Sequence, residues 1–412
     1  MSQPQSRSLI QNIRAALGGE LIQSGISVVI FFGVFFQLSE RDWGSYVAVT
    51  TTGLILGTLM NFGSQELLVL NVSRGAELAR EWGFTLATQI IGALIGLALG
   101  LAVRPIFFAD LGILTTALLL LVNISFLWKV EATVRVGQAI KRLSIGTAGR
   151  LYFALSRIAA VGVFWIWGTN DVDDYALLAA PFAAAGTLWA IIATARATSA
   201  RPEIAIPSRA RLIEGLPFVG TAGAQDLLAG FDRPLLSSNG FVVETGQYGV
   251  ADRLLRISSI PTMALVRATS ADFFRVGESR DSRSFPLAVK YARPAVVYGT
   301  GIAIVAALAS WMLTSVDLVP DRFQPVLPMI TLLAALPALQ AAQLFPANLL
   351  TGTDRQTTRL AIYLVAVGVN ISLNLLWIPT FGWQGAAVAT IIAETVLAAS
   401  LWLVAWRVTR DT

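Results

Sequence analysis

The 412 residues contain no histidine and no cysteine, and only 13% are charged. Without His and Cys the usual zinc ligands and the common nucleophile–base pairs are missing. No Gly-x-x-x-x-Gly-Lys-[Ser/Thr] loop occurs, so the chain does not power itself by ATP hydrolysis through a P-loop. Long outer connectors are also missing, which leaves no room for an extramembrane catalytic domain. The acidic cluster Asp171-Val172-Asp173-Asp174 reads as a solvated loop, because it bridges two apolar stretches and has no partner nearby. These absences point away from an enzyme and away from resident cofactors or metals.

What is present is hydrophobicity in long runs. Apolar residues make up 55% of the chain, in stretches near the ~20 residues that a helix needs to cross the ~30 Å hydrocarbon core. Twelve spans are expected, at 17–36, 46–62, 83–103, 111–127, 151–167, 175–195, 216–236, 248–266, 295–313, 326–344, 360–378 and 385–406. The first lacks a small-x-small cleavage site after it, so it is expected to stay in the chain. No ten-residue unit alternates apolar with polar residues, which argues against a barrel. The expected fold is an all-α polytopic membrane protein of about twelve transmembrane helices.

Orientation follows from the cations. With the N-terminus inside, most of the 30 Lys and Arg fall on the cytoplasmic side, and the outer connectors keep only Arg41, Arg104 and Arg322. The positive-inside rule then places both termini, residues 128–150 and residues 267–294 in the cytoplasm. The basic residues are scattered over many loops, not gathered on one face, so nucleic acid is not an expected partner.

The two halves echo each other. Gly44-Ser45-Tyr46 opens the second span and Gly246-Gln247-Tyr248 opens the eighth, about half the chain apart. An even number of spans per half gives parallel repeats about an axis along the membrane normal. Two parallel six-helix bundles are expected, residues 1–205 and 206–412, with substrate between them. Prolines concentrate in the second half, and Pro234, Pro261 and Pro337 lie inside expected spans, where kinks are expected. Gly92, Gly96 and Gly100 form a small-residue stripe that reads as packing.

Several passages resemble bacterial polysaccharide flippases, the Wzx-type members of the multidrug/oligosaccharidyl-lipid/polysaccharide exporter superfamily. Ile378-Pro379-Thr380-Phe381-Gly382, followed by Gly385-Ala386-Ala387-Val388-Ala389-Thr390 and Glu394, resembles their last hairpin. Trp43-Gly44-Ser45-Tyr46 and Asn61-Phe62-Gly63-Ser64-Gln65-Glu66-Leu67 are similar to their first hairpin. Asp232-Arg233 and Gly246-Gln247-Tyr248-Gly249-Val250-Ala251 resemble their seventh and eighth helices.

The resemblance implies transport of an undecaprenyl-diphosphate-linked oligosaccharide across the bacterial cytoplasmic (inner) membrane, for lipopolysaccharide, capsule or exopolysaccharide. It further implies membrane lipids and a polysaccharide polymerase or other glycan-assembly proteins as partners. Two readings stand beside it: a multidrug or cation antiporter of the same superfamily, and a non-transporting scaffold of a glycan-assembly complex.

Candidate functional residues come from depth and pairing, since charges at membrane depth are costly. Arginine keeps its charge at any depth and forks onto phosphate oxygens, which makes Arg157, Arg233 and Arg253 the candidate diphosphate ligands. A desolvated carboxylate takes and releases a proton more readily near neutral pH, so Asp226, Glu394 and Glu20 are the candidate ion-coupling groups. Asn370, Asn374, Gln340 and Gln343 are the candidate sugar contacts. Asp252 and Arg256, four apart, are expected to pair within one helix.

Overall fold

A computed structural model of the chain describes residues 25–203, 205, 207–278, 284–314 and 319–410. Glu20 lies outside the described residues. Among them every regular element is helical and no strand occurs. The chain divides into two compact units, Ile26–Gly246 and Gln247–Thr412, with the division falling inside a helix.

The first unit begins with α1 (Gly25–Gln37), α2 (Glu40–Met60), α3 (Ser64–Ser73) and α4 (Leu78–Phe107). Ser39 caps α2, its hydroxyl accepting from the Asp42 amide at 3.1 Å. Helices α2 and α3 meet at a 41° bend, where Phe62 and Gly63 both take positive φ. The long stripe on α4 packs as its small residues predict. A side chain at Gly92 would strike the Met60 carbonyl, and Gly96 and Gly100 face Ile124 and Leu120.

Next come α5 (Ile113–Leu121), a π turn (Val122–Phe126) and α6 (Leu127–Ala139). The π turn displaces the backbone register, and polar side chains reach carbonyls at its end and just past it. Gln65 and Gln89 each donate to the Trp128 carbonyl at 3.0 Å, and Thr187 donates to that of Phe126 at 3.3 Å. Helices α7 (Leu143–Trp167) and α8 (Val172–Thr198) follow, knitted to α6 by a core of Val122, Val130, Phe153, Ala180, Ala183 and Ala190. The unit closes with α9 (Arg209–Gly230), α10 (Asp232–Ser238) and the first turn of α11 (Val242–Ser258).

The second unit holds the rest of α11, then α12 (Ile260–Glu278), α13 (Ser284–Thr314), α14 (Val326–Leu333), α15 (Leu336–Gly352) and α16 (Gln356–Arg410). Helix α16 is broken at Gly382, which sits at φ 56° and ψ −133°, a region open essentially to glycine alone. Sequence reasoning ends that span at Pro379. The helix instead runs three residues further and breaks where the backbone needs glycine.

Among the described residues six helices are long and apolar enough to cross a membrane, and up to eight if each bent pair counts as one span. Their outward faces are apolar as well: Leu94 is 65%, Ile166 88% and Val297 72% exposed. A helix greasy on both its buried and its outward face belongs in lipid. The spans expected at 216–236 and 248–266 are each broken into two shorter helices, α9 with α10 and α11 with α12.

Pro234, Pro261 and Pro337 explain where the breaks fall. Each lies within the first three residues of the second piece, where a missing N–H costs no intrahelical bond. They start new helices; none of them kinks a continuous one.

Candidate functional site

In the first unit the cations are sorted by whether a carboxylate meets them. Arg150 pairs with Glu131 at 2.6 Å and Arg135 with Glu66 at 3.3 Å. Arg211 pairs with the buried Glu81, lies 3.8 Å over the Phe84 ring, and shares that carboxylate with Asn71. These ties hold helix ends together.

Arg157 is different. It lies seven residues before the aromatic end of α7, and no carboxylate among the described residues meets it. The phenols of Tyr46 on α2 and Tyr175 on α8 are the polar groups nearest its charge. Phe153 lies one turn back, with its ring centre 5.8 Å from the guanidinium carbon. The Arg157 Nε is buried and has no acceptor.

The phenols are themselves clamped. The Tyr46 and Tyr175 rings meet edge to face at 5.6 Å. Trp43 stacks on Tyr46 at 5.4 Å, and Phe164 abuts Tyr175 at 5.2 Å.

Tyr46 connects this cluster to the repeated motif. Two residues earlier, Gly44 lies so close to the Val242 carbonyl that no side chain fits. Gly246, from the second copy, faces Gly44 in turn, and a side chain there would strike Trp43 and the Gly44 backbone. Trp43 Nε1 donates to the Gly246 carbonyl at 3.0 Å. The two copies of Gly-x-Tyr thus touch through their glycines.

Asp226, on α9, accepts a hydrogen bond from the Thr58 hydroxyl of α2. The same two helices touch at Gly223 against Leu59 and at Gly215 against the Phe62 carbonyl, so the carboxylate sits on a close-packed seam. Arg233 begins α10 beside the buried Asp232. A side chain at Gly230 would meet Thr51 and the Arg233 guanidinium.

Lys129 was not among the sequence candidates. The span drawn at 111–127 stops two residues short of it, whereas the apolar helix runs from Ile113 to Ala139. Its ammonium donates to Ser125 in the π turn, and no carboxylate among the described residues meets it. Nothing in the local sequence marks it, because a lysine just past an apolar run reads as a loop residue.

The second unit gathers carboxylates and amides. Glu394, 5% exposed on the second arm of α16, accepts from Gln343 of α15. The same amide also reaches the Glu394 backbone carbonyl at 3.0 Å. Asp252 and Arg256 form the expected pair within α11, at 2.7 Å.

Asn374 donates to Asn370 at 3.0 Å, and both are fully buried. The Asn374 carbonyl oxygen and the Asn370 amide nitrogen have no partner. Gln340 accepts from Ser259 at 3.3 Å, and Arg253 lies on α11 beside Asp252. The structure therefore brings Gln343 to Glu394 and Asn370 to Asn374, and leaves Gln340 with the α11–α12 break.

Two clefts lie apart from all of these. One of about 330 Å³ in the first unit is lined by Arg41, Asp110, Ser237, Ser238 and Glu244 among others. The other, of about 250 Å³ in the second unit, is almost wholly apolar.

No family model and no curated protein matches the chain. Solved structures do. An inward-facing multidrug resistance MATE family transporter of the MOP superfamily aligns with a TM-score of 0.65 at 14% identity, over 100% of this chain and 97% of that one. The outward-facing conformation of such a transporter aligns at 0.67 and 13%, over 98% of each chain. A MOP superfamily transporter from Pyrococcus furiosus, described as having a binding pocket of reverse polarity that suggests a different function, aligns at 0.63 and 13% over 97% and 95%. The chain has the MATE-like transporter fold. Only the fold follows from likeness at this identity.

Proposed function

We propose that this chain is an ion-coupled transporter of the bacterial cytoplasmic membrane that moves an undecaprenyl-diphosphate-linked oligosaccharide to the outer leaflet. Twelve spans in two six-helix bundles, divided near 205/206 and with both termini cytoplasmic, carry the alternating access. Fold likeness to both an inward-facing and an outward-facing transporter supports that cycle.

The observation that carries the choice of substrate is Arg157. A guanidinium at membrane depth with no carboxylate of its own is expensive unless an anion visits it. Lys129, held by Ser125 alone among the described residues, adds a second such cation. Arg233 and Arg253 complete the diphosphate ligands. The description of reversed pocket polarity in a relative by fold supports the idea that this fold accommodates substrates of different charge.

Asp226 and Glu394, with Glu20, take the coupling ion. Gln340 meets the sugars. Asn370, Asn374 and Gln343 meet them as well, and Gln343, whose amide reaches the Glu394 backbone, ties them to that carboxylate. The partners are the lipid-linked glycan, membrane lipids and the glycan polymerase.

A second reading, a multidrug or cation antiporter, is favoured by the multidrug resistance role of the transporters that share the fold and uses the same carboxylates without the arginines. Surface glycan display separates the two. In a strain lacking the gene, wild type restores display, Arg157→Ala does not at matched membrane levels, and Arg157→Lys restores part of it, because an ammonium lacks the fork. Full display from Arg157→Ala, together with resistance to cationic drugs, would favour the antiporter.

A further inference from the structure

The cleft of about 330 Å³ in the first unit belongs to none of the groups used above. Its walls come from three places in the chain: the start of α2, the turn after α4, and the segment joining α10 to α11. In the orientation drawn from Lys and Arg, all three lie at the outer end of the molecule. Pro105 and Phe107 give the cleft an apolar wall.

Its polar groups are of both signs. Arg41 donates to Asp110 at 2.9 Å, which orients both planar heads, and the Arg41 side chain stays 69% exposed. Glu244 also lines the cleft, and no cation among the described residues meets its carboxylate. Ser237, a further lining residue, is only 7% exposed, yet its hydroxyl bonds to no described residue. A hydroxyl buried to that degree ordinarily has a partner.

This mixture selects among ligand classes. An anion such as phosphate would meet two carboxylates, and a cation would meet the guanidinium and find no third carboxylate. A neutral polyhydroxylated ring suits it, because each sugar hydroxyl both donates and accepts. The carboxylates take its protons, and the guanidinium and Ser237 donate to its oxygens. Its C–H face packs against Phe107. The volume stands at the lower end for small-molecule sites, which suits about one sugar ring and no longer chain.

Resting on the glycan-transport reading above, we infer that this cleft is a saccharide subsite at the outer mouth of the protein. It takes one neutral sugar of the glycan as the glycan leaves, with Arg41, Asp110, Glu244 and Ser237 as ligands.

Saturation-transfer NMR on the purified chain in nanodiscs tests this, with free galactose, glucose, mannose, rhamnose and N-acetylglucosamine as probes. Methyl phosphate and choline are the anionic and cationic controls. Wild type should transfer to at least one of the sugars and to neither control. A hydrogen bond to a charged group is worth about a factor of ten in affinity. Glu244→Ala and Arg41→Ala should therefore each weaken that sugar about tenfold, and Ser237→Ala should weaken it several-fold. Arg41→Ala should keep the wild-type melting temperature, since an exposed ion pair contributes little to stability.

Transfer to none of the sugars, transfer to a control in their place, or a sugar affinity unmoved by Glu244→Ala and Arg41→Ala would each overturn the subsite. Translocation of a prenyl-diphosphate-linked glycan by the same wild-type protein would then leave the transport reading standing. The expected sugar pattern without any such translocation would keep the cleft as a saccharide site and remove the transport reading.

Discussion

At the scale of single residues, the informative property is whether a charge has a partner. Arg157, Asp226 and Glu394 stand out in the sequence because nothing three or four positions away can neutralise them. Their actual neighbours cannot be read there: Tyr46 and Tyr175 for Arg157, Thr58 for Asp226 and Gln343 for Glu394 come from other helices. Asp252 with Arg256 is the opposite case, legible because it is local. Asp226→Asn is nearly isosteric and still accepts from Thr58, so it should keep its melting temperature and lose only transport driven by an ion gradient. Gradient-dependent uptake into proteoliposomes measures this. Thr58→Val removes the donor and should change the pH dependence of transport, because the carboxylate loses a hydrogen bond to its charged form. An unaltered pH profile would mean that Asp226 does not titrate during the cycle.

At the scale of elements, glycine and proline decide where helices stop and how closely they meet. The breaks beside Pro234, Pro261 and Pro337 were legible as disturbances, but not as starts of new helices, because propensity alone does not give the register of the turn before a proline. Gly382 is legible in the sequence only as part of a motif, whereas its backbone angles make it obligatory. Gly382→Ala should cost about 1–3 kcal/mol, seen as a lower melting temperature in detergent; an unchanged value would mean the break relaxes freely. The meeting of Gly44 with Val242 and Gly246 was hinted at by the repeated Gly-x-Tyr motif, although sequence similarity does not say that the copies touch. Gly44→Ala should loosen this contact. With Ser45→Cys as reporter, 2% exposed in the native chain, labelling by a maleimide should be several-fold faster in the Gly44→Ala background; equal rates would contradict the packing.

At the scale of the whole molecule, composition and the spacing of apolar runs made the all-helical membrane architecture legible, and the solved structures it aligns with share its fold. Span number was harder, because the polar stretches of α9 to α12 do not look like lipid-facing helices. The orientation drawn from Lys and Arg predicts that Ser144→Cys is shielded in intact cells and that Asn239→Cys is labelled by an impermeant maleimide. The native chain has no thiol to interfere. The reverse pattern would invert the topology. Most direct for the central claim is translocation itself, in proteoliposomes loaded with a fluorescent prenyl-diphosphate-linked oligosaccharide under an imposed ion gradient. Wild type should bring the glycan to the opposite leaflet, Arg157→Ala should slow it at least tenfold, and Arg157→Lys should fall between. Translocation by Arg157→Ala at the wild-type rate, or none by wild type alongside export of cationic dyes, would contradict the account.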